Sequence, residues 1–375
     1  MKLEQLSLTH TRWRHSISKL EFLPNIILLF VSPLFLEKKI LISEFIRRFP
    51  EATILGCSTA GEISGINVID ESVSMTAIKL EKTASKLVKV DVKSMDDSFN
   101  SGVALAENLQ AHNLKHVLVF SDGLNVNGAD LVSGLKSILP ETSITGGLAG
   151  DGPDFNETFV IANGLITDRI IVGLGFYGDH LKIGYSSKGG WDSFGIDRLV
   201  TKSDNNILFE LDGLPALELY KSFLGDNAKN LPSSGLLFPL NMRVNEHDAP
   251  VVRTILSVDE DNQSLTFAGN IPEGAFVRLM KANVNRLIYG AEDSARKAFN
   301  ATNENAELAI LISCVGRRLV LKQLVEEEVE VVRDIIGDKP KITGFYSYGE
   351  IAPFGEFSPC ELHNQTMTIT TLSEC

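Results

Sequence analysis

Two stretches decide how this chain folds: ATILGCSTAGEI, Ala52 to Ile63, and KITGFYSYGEI, Lys341 to Ile351. Each reads as a buried strand running into a turn spelled G-x-x-x-x-G-E-I, so that Gly56, Gly61, Glu62 and Ile63 align with Gly344, Gly349, Glu350 and Ile351. What precedes them is also alike. NIILLFVSP (Asn25 to Pro33) is a continuous apolar run of strand length, after which Leu36, Ile40, Leu41, Phe45 and Phe49 recur at helical spacing up to Pro50. ELAILISCVG (Glu307 to Gly316) is followed by the amphipathic LVLKQLVEEEVEVVRDII (Leu319 to Ile336) and by Pro340. A further alternating strand comes after each turn, SVSMTAIKL from Ser72 and NQTMTITTL from Asn364. Strand, helix, proline, strand, turn, strand thus occurs at both ends of the chain as a repeated β-α-β unit.

The middle repeats the theme more loosely. HVLVFSDGL (His116 to Leu124) reads as a strand, GADLVSGLKSILP as a helix ending in Pro140, and SITGGLAGDG sets Ala149-Gly150-Asp151 against Ala60-Gly61-Glu62. FVIANG, RIIVGLGFYG and LKIGYSSKG look like successive strands. NNILFELDGLPALELYKSFLG predicts a strand and then a helix from near Pro215, and Pro250 to Asn283 reads as a β-meander. A helix from about Asn285 to Phe299 leads into the last repeat. The expected fold is α/β with mixed sheets. The divisions are an N-terminal segment 1–24, a first region 25–212 and a second region 213–375, the two regions intimately packed because the end units repeat one another across the boundary.

Composition narrows the function. The chain has 375 residues, with 35 Lys and Arg against 48 Asp and Glu, a net charge of −13. That balance argues against a nucleic-acid or anionic-membrane partner. Apolar residues at 44% make a core affordable. The longest apolar run, Ile26 to Leu36, is broken by Ser32 and Pro33 and falls short of the roughly 20 residues of a membrane span. Four cysteines without a CxxC pair suit a reducing cytoplasm.

Several motifs fail on context. GLGFYG (Gly173 to Gly178) matches G-x-G-x-x-G, but an alternating strand follows where a dinucleotide fingerprint needs a helix. Gly56 to Gly61 is followed by Glu62 and not by the Lys-Ser or Lys-Thr of a phosphate loop. Cys360 and His363 make half a metal site with no second pair, so no metal is assigned. There is no G-x-S-x-G elbow.

The Gly-acid turns hold the candidate ligand residues: Ser58, Thr59, Gly61, Glu62, Asp151, Tyr348, Gly349 and Glu350. Strands ending in small residues expose backbone N–H groups, and ligands favour the crevice beyond strand C-termini. The acids would meet an ammonium, hydroxyl or amide group. Alternatively the glycines serve tight turns and the acids cap helix starts. A Glu62/Cys57/Glu350 cluster could also support acid-base or thiol chemistry, although a buried, inert cysteine is the simpler reading of Cys57.

LLFVSP, LGCSTAGEI, VFSDGL, GGLAGDG, LDGLPALELY, GNIPEGAFVRL and above all GFYSYGEIAPFG with LHNQTM resemble the FIST sensory proteins over roughly Pro24 to Leu372. The resemblance implies a stand-alone small-ligand sensor, not an enzyme, that reports to a histidine kinase or a cyclic-di-GMP enzyme. It adds Asn364, in the LHNQT segment, to the candidates. The nitric-oxide-sensing NosP branch binds haem, which implies haem b with His363 or His247 as axial ligand; otherwise an amino acid is the implied ligand. The residues leave a homo-oligomer open.

Overall fold

The apolar runs become parallel strand pairs, each pair joined through a helix. In this computed structural model residues 1–10, 13–35, 37–245, 250–353 and 359–375 are described. The first unit comprises β1 (Lys2–Leu8), α1 (Trp13–Ile17), β2 (Ile26–Val31), α2 (Lys38–Arg48), β3 (Thr53–Ser58), a hairpin of β4 (Glu62–Ser64) and β5 (Asn67–Ile69), and β6 (Val73–Lys79). The second runs β7 (Ala84–Asp91), α3 (Ser98–Leu109), β8 (Leu114–Ser121), α4 (Gly128–Ile138), β9 (Ser143–Leu148), a hairpin of β10 (Val160–Ala162) and β11 (Leu165–Thr167), and β12 (Ile170–Tyr177). A third unit begins with β13 (Leu181–Lys188). It is then interrupted by β14 (Trp191–Ser193), β15 (Arg198–Asp204), β16 (Ile207–Leu211), β17 (Leu214–Pro215), α5 (Ala216–Leu224), β18 (Leu240–Arg243), β19 (Val251–Arg253), β20 (Ile255–Asp259), β21 (Ser264–Phe267) and β22 (Phe276–Ala282). It resumes with α6 (Val284–Ala301), β23 (Leu308–Cys314), α7 (Val315–Leu321), α8 (Glu327–Ile336), β24 (Lys341–Ser347), a hairpin of β25 (Gly349–Pro353) and β26 (Cys360–His363), and β27 (Met367–Glu374).

The units interleave cyclically. The first sheet runs β1-β6-β2-β3 and takes its last two strands, β10 and β11, from the second unit. The second, β7-β12-β8-β9, takes β25 and β26 from the third, and the third, β13-β27-β23-β24, takes β4 and β5 from the first. Each hairpin therefore leaves its own turn and completes another unit's sheet. The inner faces of the three sheets fill a common core, where Phe30, Phe120 and Phe345 meet with ring centroids 4.7 to 5.9 Å apart. Burying rings of this size stabilises by about 2–3 kcal/mol each.

Local sequence explains the elements, and three readings change. The N-terminal segment, for which the sequence predicts no element, supplies β1, which pairs with β6 along its whole length. The closing strands β6 and β27, which read as alternating, are covered on both faces. Thr368, Thr370 and Thr371 stay satisfied there by donating to Ser187 Oγ, Thr145 Oγ1 and the Ala298 carbonyl. The helix expected over Leu319 to Ile336 breaks at Lys322, which adopts φ +51°. The break folds α8 back so that Glu328 meets Arg317 in a fully buried ion pair at 2.7 Å.

Strands β14 to β22 form a nine-stranded sheet of their own. A division at Asp212 runs through it, since β15 pairs with β22 and β16 with β21.

Candidate functional site

The Gly-acid turns meet at one end of the three-sheet core. Ala60 N donates to the Tyr346 carbonyl (2.8 Å), Gly150 N to that of Ser58 (3.1 Å), and Tyr348 N to that of Leu148 (3.3 Å). This is the same hydrogen bond made three times around a pseudo-threefold axis. It fixes the alignment of the middle copy, which differs by one residue from the sequence reading. Gly146 matches Gly56 and Gly344, each standing opposite the preceding parallel strand at Val119, Leu29 and Leu311. Asp151 therefore stands level with Gly61 and Gly349, and Gly152 with the two glutamates.

Glu62 and Glu350 perform one local task. Thr59 Oγ1 donates to Glu62, and Ser72 donates to it through both its backbone N–H (3.1 Å) and its hydroxyl (2.8 Å). Glu350 accepts from Ser347 Oγ (2.6 Å) and from the Thr366 N–H (3.1 Å) and hydroxyl (2.9 Å). Ser72 and Thr366 each directly precede a closing strand, so each glutamate latches its turn to that strand. Lacking an acid at this position, the middle unit uses Asp122, which accepts from Thr158 Oγ1 (2.6 Å) and from the Arg169 N–H (2.6 Å) just before β12. Both glutamates are buried, and burial raises Glu62 to about 7 and Glu350 to about 8 against the pull of these donors.

The remaining candidates are tied up locally. Asp151 accepts from Tyr348 OH and from the N–H groups of Phe155, Asn156 and Glu157. Ser58 Oγ accepts from the Phe159 N–H (3.0 Å). Gly61 leaves room for the Arg318 guanidinium, which donates to the Ala60 carbonyl. Leu362 would collide with a side chain at Gly349. Asn364 donates to the Tyr348 carbonyl and accepts from the Thr254 N–H, joining the third turn to the nine-stranded sheet. Cys57 lies in the core, and burial pushes its thiol well up. His363 is buried with Nε2 2.8 Å from the Ala352 carbonyl, and burial lowers it to about 4. His247 lies outside the described residues. Among the described residues no group of three or more His, Cys, Asp or Glu is placed to hold a metal ion.

A cleft of about 520 Å³ opens where the nine-stranded sheet meets the three-sheet body. One wall is Ala129, Val132 and Ser133 of α4 with Cys360, Glu361 and Leu362 of β26. The other carries Met242 and Arg243 of β18, Val251 and Arg253 of β19, and Asn270 with Pro272. None of the turn residues lines it. The walls are pinned together at the base. Asn127 caps α4 and donates to Asn270 Oδ1 (2.6 Å), and Asn270 donates to Asp130 (2.7 Å). Arg253, 7% exposed, donates to the carbonyls of Asn270 (3.1 Å) and Leu362 (3.2 Å). Cys360 stays a thiol, pushed up to about 12 by burial. The sequence did carry one signal for this cleft: a lone arginine inside the apolar run PVVRTIL, Pro250 to Leu256.

A family model of the FIST N domain matches residues 25–214, and one of the FIST C domain matches 216–353. The chain belongs to the FIST family. Domains of this family are generally small-ligand-sensing. Their junction falls at Pro215, inside the nine-stranded sheet, and the cleft is lined from both domains. The chain is 26% identical over 322 residues to an uncharacterized protein of Methanocaldococcus jannaschii, covering 75% of this chain but only 58% of that protein. It is 22% identical over 318 residues to an uncharacterized protein of Mycobacterium tuberculosis, covering 80% of this chain and 79% of the other. Among solved structures, a cyanuric acid hydrolase from A. caulinodans aligns over 99% of this chain and 98% of its own, at 8% identity and a TM-score of 0.35. That likeness is too slight to bear on fold or chemistry. No helix among the described residues is long and apolar enough to cross a membrane.

Proposed function

We propose that this FIST protein is a cytoplasmic sensor whose small ligand binds in the cleft between α4–β26 and β18–β19. The observation that carries this reading is that the two walls belong to different sheets, α4 and β26 to the three-sheet body and β18 and β19 to the nine-stranded sheet. Occupancy would favour one seating of those sheets over another, which is how a ligand shifts a two-state equilibrium. The output passes to a partner, a histidine kinase or a cyclic-di-GMP enzyme. No catalytic role is assigned to Glu62, Cys57 and Glu350, because both carboxylates are filled by local donors and the thiol is buried and protonated.

Among the described residues that line the cleft there is no histidine to hold haem: His363 follows Leu362 on a strand, so the two point to opposite faces, and His247 is outside the described residues. An organic metabolite, an amino acid among the candidates, fits better.

The test is a thermal-shift screen of the full chain against amino acids, other small carboxylates and hemin. A ligand at a hundred times its Kd adds about 2.7 kcal/mol, or about 3 °C for a chain of this length. Ala129→Trp, which fills the cleft, should abolish the shift. A hit undiminished in that variant would place the site elsewhere, and a Soret band retained in it would give haem a site outside the cleft.

A further inference from the structure

The nine-stranded sheet holds a second pocket, which shares no lining residue with the cleft. Strand pairing sets Leu240 opposite Leu279, Arg198 opposite Val277 and Val200 opposite Leu211, so these side chains stand on one face of the sheet. Helix α5 covers that face with Leu217, Tyr220 and Leu224. A pocket of about 200 Å³ lies between the helix, the sheet and the segment Phe194–Ile196. Its floor is deep: Leu211, Tyr220, Leu240 and Val277 are each 4% exposed or less. Its mouth is framed by Ile196 and Phe223, apolar side chains that are 67% and 42% exposed.

The lining is apolar almost throughout, and Phe194, Tyr220 and Phe223 make part of it aromatic. Its polar side chains are already taken. Tyr220 OH donates to the Phe238 carbonyl (2.7 Å). Arg198, the one charged residue of the lining, donates to Asp212 (2.9 Å) and lies 5.7 Å from the centre of the Phe223 ring. A charged ligand would therefore give up its water with nothing to replace it. An uncharged aromatic ring would not, and it would pack edge-on or offset against the aromatic walls. Size narrows the class further. A cavity of about 150 Å³ holds benzene, so this one takes a single ring with a small substituent and is too small for haem or a nucleotide.

We infer that this pocket is a second ligand site, which takes a small uncharged monocyclic aromatic molecule, its ring between Val277 and Leu279 of β22 and Tyr220 and Phe223 of α5.

The experiment is calorimetric titration of the full chain with toluene and benzoate, which are close in size and differ in charge. Toluene should bind and benzoate should not. Leu279→Trp, which fills the pocket, should abolish toluene binding. Phe223→Asp should weaken it about tenfold, the equivalent of about 50 Å² of apolar contact. Phe223 is half-exposed, so this variant serves if Leu279→Trp does not fold. Ala129→Trp, in the cleft, should leave toluene binding as it is. No toluene binding, equal binding of benzoate, or toluene binding that survives both Leu279→Trp and Phe223→Asp overturns the inference. So does toluene binding lost in Ala129→Trp, which would put the ring in the cleft. Sedimentation of the full chain supplies the last check: a dimer that Phe223→Asp dissociates would make the mouth an interface between copies and overturn the ligand site.

Discussion

Replacing Gly146 by alanine tests the threefold repeat at its tightest point. An added Cβ would stand 1.9 Å from the carbonyl oxygen of Val119 on the adjacent parallel strand. Real Cβ atoms do not come closer than about 3.0 Å, so β8 and β9 would have to part by about 1.1 Å. A ladder bond near 2.9 Å would stretch to about 4 Å and cease to be one. Losing three or four such bonds at about 1 kcal/mol each costs about 4 kcal/mol. With an unfolding entropy near 2.1 cal/mol/K per residue, the chain has about 0.8 kcal/mol/K, so the melting temperature should fall by about 5 °C. Gly56→Ala and Gly344→Ala meet Leu29 and Leu311 in the same way and should cost as much. The control is Gly65→Ala, at φ +63° in open space, where only the left-handed penalty of about 1–2 kcal/mol applies, or about 2 °C. Differential scanning calorimetry reads all four. If Gly146→Ala melts no lower than Gly65→Ala, the three positions are not equivalent close contacts and the argument fails.

Four of the buried titratable groups set a pH profile. Glu62 and Glu350 are raised from 4.5 to about 7 and about 8, so the folded state holds their protons more tightly. Their contribution is fully present below pH 4.5 and is lost as pH climbs to 8, at up to about 1.4 kcal/mol per unit each. His116 and His363 are lowered from 6.5 to about 3 and about 4, so their contribution is present above pH 6.5 and lost as pH falls through that range. Urea midpoints should therefore drop between pH 6.5 and 8.5, and Glu350→Gln should flatten that drop; a rise over the same interval would contradict the assignment. A second expectation concerns truncation. Chains cut at Asp212 should leave neither half with a cooperative melt, because β25–β26 completes the second sheet, β4–β5 completes the third, and β13 pairs with β27, all across the cut. Independent cooperative transitions for both halves would refute it.

Much of the architecture was legible because it is local. The apolar runs at Ile26, Val117 and Leu308, the helical spacing after them and the glycine turns all report on neighbours within about 40 residues, where period and turn chemistry suffice. The break at Lys322 was not, since its reason is the ion pair between Arg317 and Glu328 across the bend. The candidate site was less legible than the fold. The Gly-acid turns stand out in sequence because their geometry is demanding, and the structure gives those acids to Ser72 and Thr366 instead of a cavity. Asp122 does the same task from a different place in the chain, so no alignment of turn residues could have found it.

By itself, then, the sequence determined the repeated β-α-β unit, the family and the demand for glycine at the turns, all of which follow from backbone sterics and the burial of short apolar segments. The tertiary structure alone decided the exchange of hairpins among three sheets, the nine-stranded sheet set into the third unit and the cleft between them. Those depend on which distant surfaces bury one another, and the cleft exists only once Asn127, Asn270 and Arg253 have pinned α4 and β26 against the nine-stranded sheet.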